Sequence, residues 1–155
     1  MSAPFAIDPA TGRIGFPGLG LELRPQMPQA EFITATSSMN RDNLGANDGW
    51  QRYSIRALVP DDLILGLFFI FLNDRLNKAS FAYGPKDETW DNWSEESEAA
   101  RQKEYQQELD AQLSGKSSFP WGRVSVKLDS KSGGTNIWLD YSEQPSPAGT
   151  QTATT

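Results

Sequence analysis

The sequence of 155 residues contains no cysteine and no histidine. It can therefore form no disulfide, no thiolate or imidazole metal site, and no catalytic triad or dyad built on either side chain. Its longest apolar run, residues 63–72, is far shorter than the ~20 residues that a membrane-spanning helix needs. Basic residues are outnumbered by acidic ones, 14 to 20, so we expect neither membrane association nor nucleic-acid binding through phosphates.

Hydrophobic residues nevertheless make up 37% of the chain and aromatic residues 11%, which excludes a wholly disordered protein. The N-terminal residues show neither the basic nor the apolar segment of a secretory signal, so we expect a cytoplasmic protein. The last residues are small and polar. We therefore expect one domain over residues 1–143 and a disordered C-terminal tail over residues 144–155.

Alternating apolar residues predict the longer strands. Residues 50–59 alternate apolar and polar side chains, which is typical of a half-exposed strand. Residues 63–72 are apolar on both faces, which predicts a central strand covered on each side; the alternative is a strand that is partly exposed in a dimer. A turn then leads into residues 75–83, which form a hairpin with that strand, and residues 121–129 and 135–141 form a last hairpin.

Shorter elements are predicted in the N-terminal third. The turn chemistry of Asp8–Gly12 joins two short strands, residues 4–7 and 13–15. Residues 19–23 alternate as a further extended piece. Residues 37–49 are rich in serine, asparagine, aspartate and glycine, and this composition predicts a loop.

Two helices complete the predicted fold. A short helix lies near residues 28–34, with proline in its first turn. The main helix covers about residues 95–114, with Asn92 or Ser94 as its cap and Gly115 at its end. The fold class is therefore α+β, with a mostly antiparallel sheet of five to seven strands.

The whole net negative charge comes from residues 87–110, where nine acids and two bases give −7, while the other 131 residues sum to +1. The start of this segment also carries tryptophan, and its candidate partner-binding residues are Asp87, Glu88, Trp90, Asp91, Trp93, Glu95, Glu96 and Glu98. Aromatic anchors and steering acids suit a basic protein partner. The alternative is structural, because acids favour a helix N-terminus and the two indoles would close a sheet edge.

Catalytic and metal-binding patterns are not found. The acids do not follow the spacing of a calcium loop, the glycines form no phosphate-binding motif, and no nucleophile motif occurs. Carboxylates are numerous, but nothing selects a facing pair. We therefore expect a protein that is not an enzyme and has no cofactor and no metal site.

Tryptophan offers a second route to function. If Trp50, Trp121 and Trp138 lined one concave sheet face, they would form a pocket for a small ligand. Otherwise they belong to the core. The predicted function is a non-enzymatic protein-binding module, and the alternative is a small-ligand-binding protein that uses a tryptophan-lined sheet face.

A pattern of residues extends over positions 5–141. Its parts are Phe5-x-Ile7-Asp8-x-x-Thr11-Gly12, Trp90-x-x-Trp93-Ser94-Glu95-Glu96-x-Glu98, Trp121-Gly122-x-Val124, Asp129-x-Lys131-x-Gly133-Gly134-x-x-Ile137 and Tyr141. In this pattern the chain resembles a family of small uncharacterised bacterial proteins, a resemblance that implies no activity. In size, charge and fold class it is also similar to the immunity proteins that neutralise bacterial toxins, which is an analogy at the level of class.

Overall fold

The computed structural model describes residues 3–86, 94–129 and 134–141. These residues form ten strands and two helices, with the strands in two antiparallel sheets of three and seven strands. The predicted α+β fold is confirmed. The predicted tail over residues 144–155 lies outside the described residues.

The three-stranded sheet has the order β1-β2-β3. Its strands are β1 (Ala6–Ile7), β2 (Ile14–Phe16) and β3 (Leu21–Leu23). The predicted turn joins β1 to β2: the amide of Gly12 donates to the carbonyl of Asp8 at 2.8 Å, and Gly12 has a φ of 80°. Glycine adopts that positive φ without steric cost.

The seven-stranded sheet has the order β4-β5-β6-β7-β10-β9-β8. Its strands are β4 (Arg41–Asn47), β5 (Trp50–Val59), β6 (Leu63–Leu72), β7 (Arg75–Pro85), β8 (Ser118–Phe119), β9 (Gly122–Asp129) and β10 (Gly134–Asp140). The apolar strand β6 lies inside the sheet between β5 and β7, as its sequence predicted. The predicted pairings of β6 with β7 and of β9 with β10 are also confirmed.

The prediction of a loop over residues 37–49 is wrong for residues 41–47, because these residues form strand β4. β4 is an edge strand whose side chains are largely exposed, so it carries no apolar alternation. It pairs with β5 through a two-residue turn, Asp48 and Gly49, with φ values of 52° and 86°. Two successive positive φ values fit a type I′ hairpin turn, which aspartate followed by glycine favours.

Both helices are close to their predicted positions. Helix α1 (Gln29–Ala35) begins after Pro28, and α2 (Glu95–Leu113) begins after Ser94. Ser94 accepts a hydrogen bond from the amide of Ser97 and its own amide donates to the Ser97 hydroxyl, so the two serines form a capping box. Within the described ranges, neither helix combines the length and the apolarity needed to cross a membrane.

The core lies on one side of the seven-stranded sheet. Helix α1, helix α2 and the three-stranded sheet each place aromatic rings against this same side. The ring pairs that join them are Phe32–Phe69, Phe16–Phe81 and Tyr105–Tyr83, with centroids 4.7, 5.2 and 4.7 Å apart. All six side chains are buried.

The other side of the seven-stranded sheet is less buried than the sequence predicted. Along β6, alternate residues such as Leu65 and Phe69 are fully buried, whereas those between them, such as Ile64, Phe68 and Ile70, are only half-buried. The prediction that β6 is covered on both sides is therefore wrong for the described part of the chain, where no helix or second sheet lies on this side. We call this side the open face.

Candidate functional site

The centre of the open face is apolar. Phe68 of β6 and Trp138 of β10 meet edge to face, with ring centroids 6.3 Å apart and planes at 79°. Both pair in register with Ser80 of β7, which lies between them and is only 4% exposed. Ile64 and Ile70 extend the apolar surface along β6. An aromatic pair with aliphatic neighbours is the composition of an interface centre.

Basic side chains surround this centre. By strand alternation and register the open face carries Arg52, Arg56, Lys78, Arg123 and Lys127. Its described acidic residues are Asp42 and Asp140, and Asp140 pairs with Lys78 at 3.7 Å. Basic residues therefore outnumber acidic ones on this face. The whole protein has a net charge of −6, so the open face is a positive region of a negative protein.

The acidic candidate residues do not all lie where the sequence suggested. Asp87, Glu88, Trp90, Asp91 and Trp93 fall outside the described residues. Glu95 and Glu96 are exposed in the first turn of α2, where carboxylates interact favourably with the helix dipole. Their role in binding a partner stays a prediction.

The prediction that Glu98 lies on an exposed partner-binding surface is wrong. Its side chain is buried and makes two contacts within the protein: it accepts a hydrogen bond from the Thr135 hydroxyl at 2.8 Å, and it forms an ion pair with Arg101 at 2.9 Å. It therefore does not belong to an exposed acidic surface. It attaches α2 to β10 and holds Arg101 in a fixed position, because a buried carboxylate needs such partners.

Helix α2 also interrupts the sheet beside Glu98. β10 pairs with β7 only from Lys78 to Phe81. Two residues further along β7, the hydroxyl of Tyr105 accepts a hydrogen bond from the amide of Tyr83 at 2.7 Å and donates to its carbonyl at 2.5 Å. The side chain of a helix thus replaces a neighbouring strand at this point, and the sheet opens toward α2.

The three tryptophans considered as a ligand surface do not share one face. Trp121 lies on the core side, 7% exposed, where its Nε1 donates to the carbonyl of Pro9 at 2.8 Å and its ring stacks on Phe119. Trp50 and Trp138 alternate toward the open face, on β5 and β10. The single tryptophan-lined concavity is therefore not formed, while the core alternative is right for Trp121.

Two cavities lie where β7 approaches α2. The larger, of about 590 Å³, is a cleft between the N-terminal segment and α2, and its charged lining residues are Arg101, Glu104 and Glu108. The smaller, of about 260 Å³, opens onto the open face at the end nearest α2. Its charged lining residues are Arg56, Lys86 and Arg101, and among the described residues that line it none is acidic. Arg101 contributes to both cavities.

Metal ligands are not brought together within the described ranges, where no three carboxylates form a group that would hold an ion. Comparisons with protein-family models, curated proteins and solved structures find no match to this chain. The resemblance to a family of small bacterial proteins and the similarity to immunity proteins therefore stay predictions.

Proposed function

We propose that this chain is a non-enzymatic protein-binding module, that its binding surface is the open face, and that its partner presents acidic side chains around an apolar centre. The observation that carries the proposal is the Phe68–Trp138 pair, set among basic residues on a sheet side that no described element covers. The sequence pattern alone had indicated the acidic segment as the binding surface.

The composition of the open face supports a protein partner. Its apolar centre combines Phe68 and Trp138 with aliphatic residues, so burying it removes apolar surface from water at roughly 25 cal/mol per Å². The surrounding basic residues, including Arg52 and Lys127, would steer and orient an acidic partner. Two open faces packed on each other would bring like charges together, which disfavours a symmetric dimer through this surface.

Affinity capture with paired variants tests the proposal. The bait is the full chain, and the lysate comes from the organism that encodes it. The test variant carries Arg52→Glu with Lys127→Glu, and the control carries Glu95→Lys with Glu96→Lys on exposed positions of α2. We expect an acidic protein, cross-linked to the open face, that binds the wild type and the control, is lost from the test variant, and is weakened by salt.

The same experiment tests the second candidate, a basic partner held by the acidic segment in the manner of an immunity protein. Exposure of Glu95 and Glu96 favours this candidate. It predicts the opposite result: a basic protein that binds the wild type and the Arg52→Glu, Lys127→Glu variant and is lost when Glu95 and Glu96 are reversed. That result would exclude the open face as the main binding surface.

A further inference from the structure

The small cavity opens onto the open face, and three of the residues on its floor, Gly66, Ala82 and Gly84, have little or no side chain. Gly66 of β6 pairs in register with Ala82 of β7, and Ile64 pairs with Gly84. All four residues line the cavity of about 260 Å³. Ligand sites commonly measure about 300–1,000 Å³, so this cavity suits only a small ligand.

Gly66 is the unusual residue of this floor. It lies in the middle of the most apolar strand, where glycine weakens a sheet and often marks the close approach of a ligand or of another backbone. A Cβ atom built on Gly66 would have nothing within 4 Å. Neither packing nor a positive φ therefore requires glycine here, and its effect is to leave space above the sheet.

Three basic side chains line this space. Arg56 is the direct neighbour of Gly66 on β5. Lys86 follows the end of β7, and its Nζ lies 3.6 Å from the exposed carboxylate of Asp62, which an anion in the cavity would have to displace or share. Arg101 reaches the cavity from α2, where the buried carboxylate of Glu98 fixes it at 2.9 Å. The cations thus come from three separate elements and converge on one small volume. Guanidinium groups match carboxylate and phosphate oxygens in pairs.

We propose that this cavity binds a compact anion, a carboxylate or a phosphate group, between Arg56, Lys86 and Arg101 above the floor formed by Gly66. The site goes beyond the proposed function, because its ligand is a small molecule rather than a protein, although Arg56 and Gly66 lie on the same side of the sheet as the proposed partner surface. The backbone of β6 is occupied by sheet pairing on both sides, so the side chains provide recognition.

Calorimetric titration of the full chain with inorganic phosphate, and separately with succinate, tests the site. Gly66→Val fills the space with a side chain that favours strands. Its control is Gly15→Val, since Gly15 is also a strand glycine with nothing within 4 Å of a built Cβ but lies in the small sheet. Arg56→Gln removes one cation, and Arg52→Gln is its control four residues away on the same side of the same strand.

We expect saturable binding of at least one anion, abolished by Gly66→Val and weakened tenfold or more by Arg56→Gln, with both controls close to wild type. Comparison of the phosphate titration with the succinate titration shows whether the site prefers a phosphate or a carboxylate group. Absence of saturable binding of both anions to the wild type overturns the site, as does undiminished binding to Gly66→Val. If Gly66→Val fails to fold, Arg56→Gln still tests the site. Equal losses of anion affinity in Arg56→Gln and Arg52→Gln would mean that the anion is attracted by general positive charge and not by this cavity, which would overturn the proposal.

Discussion

The hydroxyl of Tyr105 on α2 satisfies both backbone groups of Tyr83 on β7. It accepts from the amide at 2.7 Å and donates to the carbonyl at 2.5 Å, and all of these atoms are buried. A strand normally satisfies such groups through its neighbour, and leaving them without partners is costly. One phenol therefore allows the sheet to open beside α2 without exposing polar backbone, and the small basic cavity lies at that opening.

We expect Tyr105→Phe to lower the free energy of unfolding by about 1–3 kcal/mol, because it leaves a buried amide and a buried carbonyl without partners. Urea denaturation followed by circular dichroism measures the loss. Tyr53→Phe is the control, since the Tyr53 hydroxyl accepts one hydrogen bond, from Gln29, at a partly buried position. Equal decreases in the free energy of unfolding of the two variants would show that the hydrogen bonds to Tyr83 stabilise the fold no more than the single bond at Tyr53.

Buried phenols also predict how stability depends on alkaline pH. Burial raises the pKa of Tyr83, Tyr105 and Tyr141 well above the ordinary value. In the unfolded chain these groups ionise near pH 10. Because folding favours the neutral phenols, their contribution to stability is complete below about pH 10 and is lost as the pH rises from there toward the folded pKa values.

Absorbance at 295 nm measures this effect directly. The chain has four tyrosines. We expect the signal of Tyr83, Tyr105 and Tyr141 to appear only together with loss of the native circular dichroism spectrum. Ionisation of more than one tyrosine near pH 11 in a chain that keeps its native spectrum would contradict the burial described here.

Regular patterns made much of this fold predictable from sequence. β5 and β6 begin and end at the predicted residues, because apolar alternation and a continuous apolar run are strong local signals. The capping serine Ser94 and the terminal Gly115 placed α2 to within one residue at its C-terminal end. These features depend on neighbours in sequence, which sequence analysis evaluates directly.

Features that depend on distant neighbours were missed. β4 is polar and exists because the edge of β5 accepts its backbone, so only the aspartate–glycine turn could have indicated it. Glu98 lies among exposed acids in sequence, and its burial depends on Thr135 and Arg101. The apolar run of β6 indicated burial on both sides, yet a polar helix and two small elements cover only one side of it. The composition of a strand does not show on which side of the sheet the helices and the smaller sheet pack.

The buried carboxylate of Glu98 supports a third prediction. Glu98→Gln should lower the free energy of unfolding by about 1.5–3 kcal/mol, because it weakens the ion pair with Arg101, which is only partly exposed. Glu96→Gln, at an exposed position two residues away, should change the free energy of unfolding by less than about 0.5 kcal/mol. Chemical denaturation of both variants under the same buffer provides the comparison. A change at Glu96 as large as that at Glu98 would mean that the acids act through the helix dipole alone.

Two glycines of the seven-stranded sheet, Gly66 and Gly122, are expected to change the free energy of unfolding in opposite directions when each receives a side chain. Gly66→Val should raise the free energy of unfolding by about 0.5–1 kcal/mol, because the added side chain meets open space and reduces the freedom of the unfolded chain. Gly122→Ala should lower it by at least about 1–3 kcal/mol, because its Cβ would lie 2.3 Å from the carbonyl oxygen of Asp140, at a φ of 151°. Thermal and urea denaturation compare both variants with wild type. If Gly66→Val is the more damaging of the two, some part of the molecule packs above β6, and the open face is covered in solution.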